Sequence, residues 1–120
     1  MEAQTLGDYV RQARIAKGHS LRDLAARLDL APSYLSDIEN DRRVPSEEVL
    51  KGLSRELALD FDQLMAFAGR FGDRADRYLK RNPTAGRLFR RISEANLDEQ
   101  ELKKLLHQAE QIRKKRDARS

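Results

Sequence analysis

The chain has 120 residues, a formal net charge of +4 and no cysteine; that length allows one full domain and a small second one, each with so modest a core that self-association is an expected source of stability. Lack of cysteine excludes a disulfide framework and a thiolate metal site. No apolar run resembles a signal peptide or approaches the ~20 residues of a membrane span, so a cytoplasmic protein is expected.

In chain order, the first predicted helix covers about 5–17 and ends at Gly18, with Leu6, Val10, Ala13 and Ile15 facing inward. Ser20 is a good N-cap, and Asp23 follows where a carboxylate faces the free N–H groups of a first turn. Leu21, Leu24, Ala25 and Leu28 then fall at i, i+3, i+4 and i+7, one apolar stripe of a second helix. Asp29, Leu30 and Ala31 make a turn, Pro32 suits the first position of a third helix, and Leu35 and Ile38 bury that helix while Ser33, Ser36 and Asp37 stay outward. After Val44 and Pro45, Ser46 caps a fourth helix whose buried stripe is Val49, Leu50, Leu53 and Leu57. Asp60 opens a fifth with Phe61, Leu64, Met65 and Ala68 inward, ended by Gly69-Arg70-Phe71-Gly72, where the domain boundary is expected.

Three amphipathic helices follow. Asp73 to Arg81 carries Ala75, Tyr78 and Leu79 and stops at Asn82-Pro83; the next carries Ala85, Leu88, Phe89, Ile92 and Ala95; the last starts at Asp98 and carries Leu102, Leu105, Leu106, Ala109 and Ile112. The terminal RKKRDARS is expected to fray. No strand pattern or repeat occurs, so the predicted fold is all-α: five helices over 1–70, then a small three-helix domain over 73–120. So small a unit cannot bury three apolar faces on one another, and a second copy of the chain is the simplest cover.

Residues 20–45 read as two short helices joined by a tight turn with arginines just beyond, and SYLSDIEN at 33–40 resembles the recognition helix of the Cro/C1-type (XRE) helix-turn-helix family. The resemblance covers about 6–70 and implies the family's five-helix domain reading double-stranded DNA. Two positions depart from the family pattern. Asp29 stands where glycine is usual, and aspartate tolerates left-handed backbone better than most residues. Leu21 stands where several members place a glutamine that bonds a phosphate, so that contact is expected to be absent.

The resemblance puts Pro32, Ser33, Ser36 and Asp37 at base-reading positions. Proline offers only apolar contact, serine is permissive, and aspartate either accepts from cytosine N4 or pairs with Arg22 or Arg42. The phosphate-contact candidates are Arg11, Ser20, Arg22, Tyr34, Asn40, Arg42 and Arg43. Tyr34 either places its hydroxyl on a phosphate or covers the helix junction, and Asn40 also ends the helix. Residues 1–70 hold 10 Lys/Arg against 12 Asp/Glu, whereas 71–120 hold 14 against 8, so positive charge on the reading domain must act locally and non-specific affinity should be weak. Arg14 and Glu39 match a pair that in relatives ties the first helix to the end of the recognition helix, a structural salt bridge.

In the second domain, Leu88, Phe89, Ile92, Leu102, Leu105, Leu106, Ala109 and Ile112 are expected to form a core shared by a homodimer. Arg87, Arg90 and Arg91 form either a solvated face or a contact to DNA or across the dimer, and Arg113 to Arg116 read as a solvated tail. His19 and His107 lack carboxylates at ligand spacing, and no glycine-rich phosphate loop or activated nucleophile occurs, so no enzyme activity, metal or cofactor is expected.

With NPTAGRLFRRISEANLDEQELKKLL downstream, the whole chain is similar to a narrower group, the DdrO repressors of the Deinococcus radiation and desiccation response. That similarity implies a nucleoid-associated homodimer repressing DNA-damage genes at a palindromic operator. It also implies relief when a zinc-dependent IrrE/ImmA-type metalloprotease cuts the last helix, near Leu105, Leu106 and His107. Two alternatives stay open: a phage-type repressor or toxin-gripping antitoxin with the same DNA-binding domain, and a protein-interaction adaptor whose helix-turn-helix is vestigial.

Overall fold

Short polar residues open most of the helices and left-handed residues close most of them, because four N–H groups at the start of a helix and four C=O groups at its finish lack partners within it. The structure, a computed structural model, describes residues 4–119, and among them it contains eight α-helices and no strand. Thr5 opens α1 (Leu6–Ala16) in a reciprocal box with Asp8; Ser20 opens α2 (Leu21–Arg27), Ser46 opens α4 (Glu47–Leu57) and Asp60 opens α5 (Phe61–Phe67) through side-chain oxygens that accept from first-turn N–H groups. The third helix, α3 (Pro32–Glu39), starts on Pro32 at the position where a missing N–H costs nothing.

At their far ends, α1 to α5 turn through Gly18, Asp29, Asp41, Ala58 and Gly69, all at positive φ. In each turn the N–H of the following residue reaches back five positions to a carbonyl, as from Leu30 to Ala25 at 2.8 Å and from Arg42 to Asp37 at 2.8 Å. Asp29 thus takes the left-handed conformation that its place in the turn demands. Ala58, at φ 53°, is the least suited, because its Cβ strains there. Replacing it with glycine is expected to stabilise the chain by about 0.5–1 kcal/mol, even after the extra freedom glycine gives the unfolded state. A denaturant midpoint raised at unchanged slope would show it; an unchanged or lowered midpoint would refute it.

The core is built where these helices cross. Leu6 and Val10 of α1, Leu24 and Ala25 of α2, Leu35 of α3, Leu50, Leu53 and Leu57 of α4, and Leu64 and Met65 of α5 form one buried cluster. Ala13, Leu21, Leu28, Val49, Phe61 and Ala68 pack against it half-buried. Tyr9 and Phe67 add a ring contact between α1 and α5 at 5.2 Å. Ile15 does not join them. It is 61 % exposed, because five residues beyond Val10 on a 3.6-residue helix rotate it about 140° from the stripe. Helix α1 meets the end of α3 almost backbone to backbone: a Cβ on Gly7 would lie 2.4 Å from the Glu39 carbonyl oxygen.

The chain divides into two compact units, 1–76 and 77–120, and the division falls inside α6 (Phe71–Arg81). Phe71 and Gly72 therefore begin α6 and do not terminate α5, which already ends through Ala68 and Gly69. Ion pairs hold this first turn to the larger unit. Arg74 pairs with Glu47 at the start of α4, and Arg70 lies 3.9 Å from Asp73.

The smaller unit contains α7 (Pro83–Ala95) and α8 (Glu99–Arg119) after the last residues of α6. Asn82 closes α6 by donating from Nδ2 to the Tyr78 carbonyl at 2.9 Å, while Pro83 starts α7. Asp98 and Glu101 exchange backbone and side-chain bonds at 2.9 and 3.0 Å, a reciprocal cap for α8. The segment expected to fray, from Arg113, is helical through Arg119, since it contains neither glycine nor proline and is rich in lysine and arginine. No residue of α6, α7 or α8 is buried. Leu88, Phe89, Leu106 and Ile112 are each more than half exposed, and Leu79, Ile92 and Leu105 are partly covered.

Candidate nucleic-acid interface

The reading surface follows from which side of α3 is anchored. Leu35 and Ile38 are fully buried and Glu39 is 3 % exposed, which leaves Pro32 and Ser33 open and Tyr34, Ser36 and Asp37 half-covered along the opposite side. All four expected base-reading positions therefore lie on one short helix, with Arg42 and Arg43 just beyond its end. Ala31 gives no side-chain cap, so the first-turn N–H groups of α3 have no side-chain acceptor, an arrangement that favours an anion such as phosphate.

Beneath that surface is a network around Glu39. Arg14 grips the carboxylate with two bonds, Nε to Oε2 at 2.8 Å and Nη2 to Oε1 at 3.0 Å, and gives a third from Nη1 to the His19 carbonyl at 3.0 Å. The pair expected from the family resemblance is present and nearly dry: its side chains are 15 % and 3 % exposed. Hydrogen bonding to Glu39 raises the Arg14 pKa above its ordinary value, with burial opposing. Arg11 reaches the same carboxylate at 3.4 Å and the Asn40 Oδ1 at 2.9 Å. A phosphate candidate, Arg11, is thus engaged first by Glu39 and by a second candidate, Asn40.

The remaining charges sit at the rim. Arg42 and Asp37 approach to 3.9 Å, the surface pair that competes with a direct role for Asp37 in base reading. Arg43 stacks its guanidinium 5.1 Å from the Tyr34 ring centroid, which orients a cation beside α3. Ser20 Oγ accepts from the Asp23 N–H at 3.0 Å, and Arg22, in the first turn of α2, is exposed.

Two anchors escaped the sequence pattern. Asp41 accepts from the Gly7 N–H at 2.9 Å and from the Thr5 hydroxyl at 2.7 Å, clamping the start of α1 to the end of α3. Arg70 donates to the Pro45 and Val44 carbonyls at 2.9 and 3.1 Å, fixing the loop after Arg43. Only glycine at position 7 hinted at the first, since a close approach needs a residue without Cβ. Nothing local hinted at the second. Among the described residues no group of three or more His, Asp or Glu is placed to hold a metal, and no helix is long and apolar enough to cross a membrane.

A helix-turn-helix family model matches residues 10–64, which spans all of this network except its outermost anchors. Transcriptional regulator ClgR of Mycobacterium tuberculosis is 33 % identical over 84 residues, covering 70 % of this chain and 74 % of that protein. Among solved structures, the biofilm master regulator SinR in complex with DNA is 35 % identical, covering 51 % of this chain and 98 % of that one, with a TM-score of 0.48. The clp gene regulator ClgR from Corynebacterium glutamicum is 28 % identical, covering 75 % and 88 %, with a TM-score of 0.47. The chain belongs to the Cro/C1-type (XRE) helix-turn-helix transcriptional regulators.

Proposed function

We propose that the protein is a non-catalytic, cytoplasmic repressor that binds a palindromic operator as a homodimer. We propose further that its targets are DNA-damage-response genes and that an IrrE/ImmA-type zinc metalloprotease relieves repression by cutting α8 near Leu105, Leu106 and His107. The observation that carries the reading is the division of labour along the chain. A supported reading helix sits in the larger unit, and the smaller unit presents Leu88, Phe89, Leu102, Leu106 and Ile112 with no core of its own. Apolar surface of that kind is stabilised by a partner, and a second copy supplies the two-fold symmetry that a palindrome mirrors. The DNA-damage assignment rests on the resemblance of the amino-terminal module, taken together with residues 82–106, to the DdrO repressors.

Selection from a random duplex library with the full chain tests the first part. It is expected to return an inverted repeat with half-sites one helical turn, about 34 Å, apart. A single half-site or no enrichment would overturn the reading. Incubation with such a protease, followed by mass spectrometry, tests the second: a cut between Leu105 and His107 supports it, and no cut, or a cut in residues 1–98, refutes it.

Few cations face the DNA, so each counts. Replacing Arg22 or Arg43 with alanine is expected to weaken binding evenly across sequences and to lower the slope of log K against log salt by about 0.9 for each phosphate that is no longer neutralised. Titrations at several salt concentrations measure it; an unchanged slope would mean that the arginine in question touches no phosphate.

A further inference from the structure

Resting on the DNA-reading role proposed above, we infer that Ser36 meets its base as a hydrogen-bond donor, and that Asn40, itself oriented by Arg11, fixes this polarity. A serine hydroxyl is ordinarily permissive, because it donates or accepts according to how it rotates. Here its neighbours bias that choice, because one of its two lone pairs is already engaged. Arg11 has no acceptor to offer, so the atom of Asn40 lying 2.9 Å from Arg11 Nη2 must be the carbonyl Oδ1. The Asn40 amide nitrogen is thereby turned the other way. It donates to the Ser36 carbonyl at 2.8 Å and to Ser36 Oγ at 3.3 Å.

With the Asn40 N–H directed at its oxygen, Ser36 already accepts one bond from its own helix end. Its hydroxyl hydrogen has no acceptor among the described residues, in contrast to Ser93, which donates to the Arg90 carbonyl at 3.0 Å. Ser36 is half-exposed on the reading side of α3, so that hydrogen is left for the groove. In the major groove guanine offers O6 and N7, thymine offers O4, cytosine offers only the N4 donor, and adenine offers one of each. A serine held as a donor therefore favours guanine or thymine, tolerates adenine and disfavours cytosine. Asn40 and Arg11 act here as positioning residues, specifying a base through Ser36 without touching it. Glu39 completes the chain by holding Arg11 at 3.4 Å.

The test uses the full chain and the site that library selection returns. Every single-base variant of that site is titrated with the unaltered protein and with Ser36→Ala, Asn40→Ala and Asn40→Asp. Ser36→Ala is expected to flatten preference at one base pair per half-site, which identifies the base that Ser36 reads. At that base the unaltered protein should bind guanine or thymine about fivefold better than cytosine, the scale of one net hydrogen bond. Asn40→Ala frees the hydroxyl and should shrink the ratio to about twofold or less, a loss of preference confined to one base pair that a merely structural role would not produce. Asn40→Asp replaces the inward donor with an acceptor, so Ser36 should donate inward, present its lone pairs and rank cytosine first. Uniform weakening from the added negative charge leaves that ranking readable.

The inference is overturned if Ser36→Ala alters preference at no base pair, if the unaltered protein prefers cytosine there, if Asn40→Ala leaves the ratio unchanged, or if Asn40→Asp keeps the original ranking. Failure to select any site would instead overturn the DNA-reading function, and this inference with it.

Discussion

Replacing Arg14 with methionine is expected to destabilise the larger unit by about 3 kcal/mol, because it leaves the Glu39 carboxylate, 3 % exposed, without its two-bonded partner. Arg11 remains at 3.4 Å and limits the effect to the lower part of the range for a stranded buried charge. Methionine keeps most of the stem packing, so the effect isolates charge. Replacing Glu39 with methionine as well should recover part of the stability, since a charge that is no longer buried needs no partner. Denaturant unfolding of the two single variants and the double variant measures the coupling. A destabilisation under about 1 kcal/mol for Arg14→Met, the scale of an exposed pair, would mean that the network is ornamental.

Ending the chain at Leu106 is expected to abolish dimerisation and reduce operator affinity at least about 100-fold, because two linked half-site contacts become two independent ones. The truncation removes Ala109 and Ile112 and leaves Glu99–Leu106 of α8, about two turns, too short to persist as a helix without tertiary support. Residues 1–76 keep their buried cluster, so the recognition helix should survive and fail only for want of a linked partner. Far-UV circular dichroism should still show the helices of the larger unit, and an unfolded truncated chain would contradict this account.

How far the sequence disclosed the fold depended on how local the determining physics was. Caps and stripes are local, and Ser20, Ser46, Asp60 and the leucines of α2 to α5 stand where their spacing puts them. Asp29 was readable as a left-handed turn residue for the same reason. Ile15 misled because hydrophobicity without phase does not fix a face. The start of α6 was hidden by Gly69 and Gly72, two glycines that read as one break although only Gly69 has positive φ. On α3, the outward placement of Pro32, Ser33, Ser36 and Asp37 was legible from the spacing of Leu35 and Ile38. The contacts that tie α1 to the end of α3 were not: Arg11 lies 29 residues from Asn40, Gly7 lies 34 from Asp41, and no periodicity links residues so distant.

Sedimentation of the full chain with a fluorescent operator duplex, beside the truncation ending at Leu106, decides whether the end of α8 holds a DNA-bound dimer together. Two full-length chains per duplex are expected, with a dimer in the absence of DNA and a truncated chain that sediments as a monomer and leaves the duplex free at the same concentration. One chain per duplex, or a truncation that still dimerises and binds equally well, would contradict that role for α8.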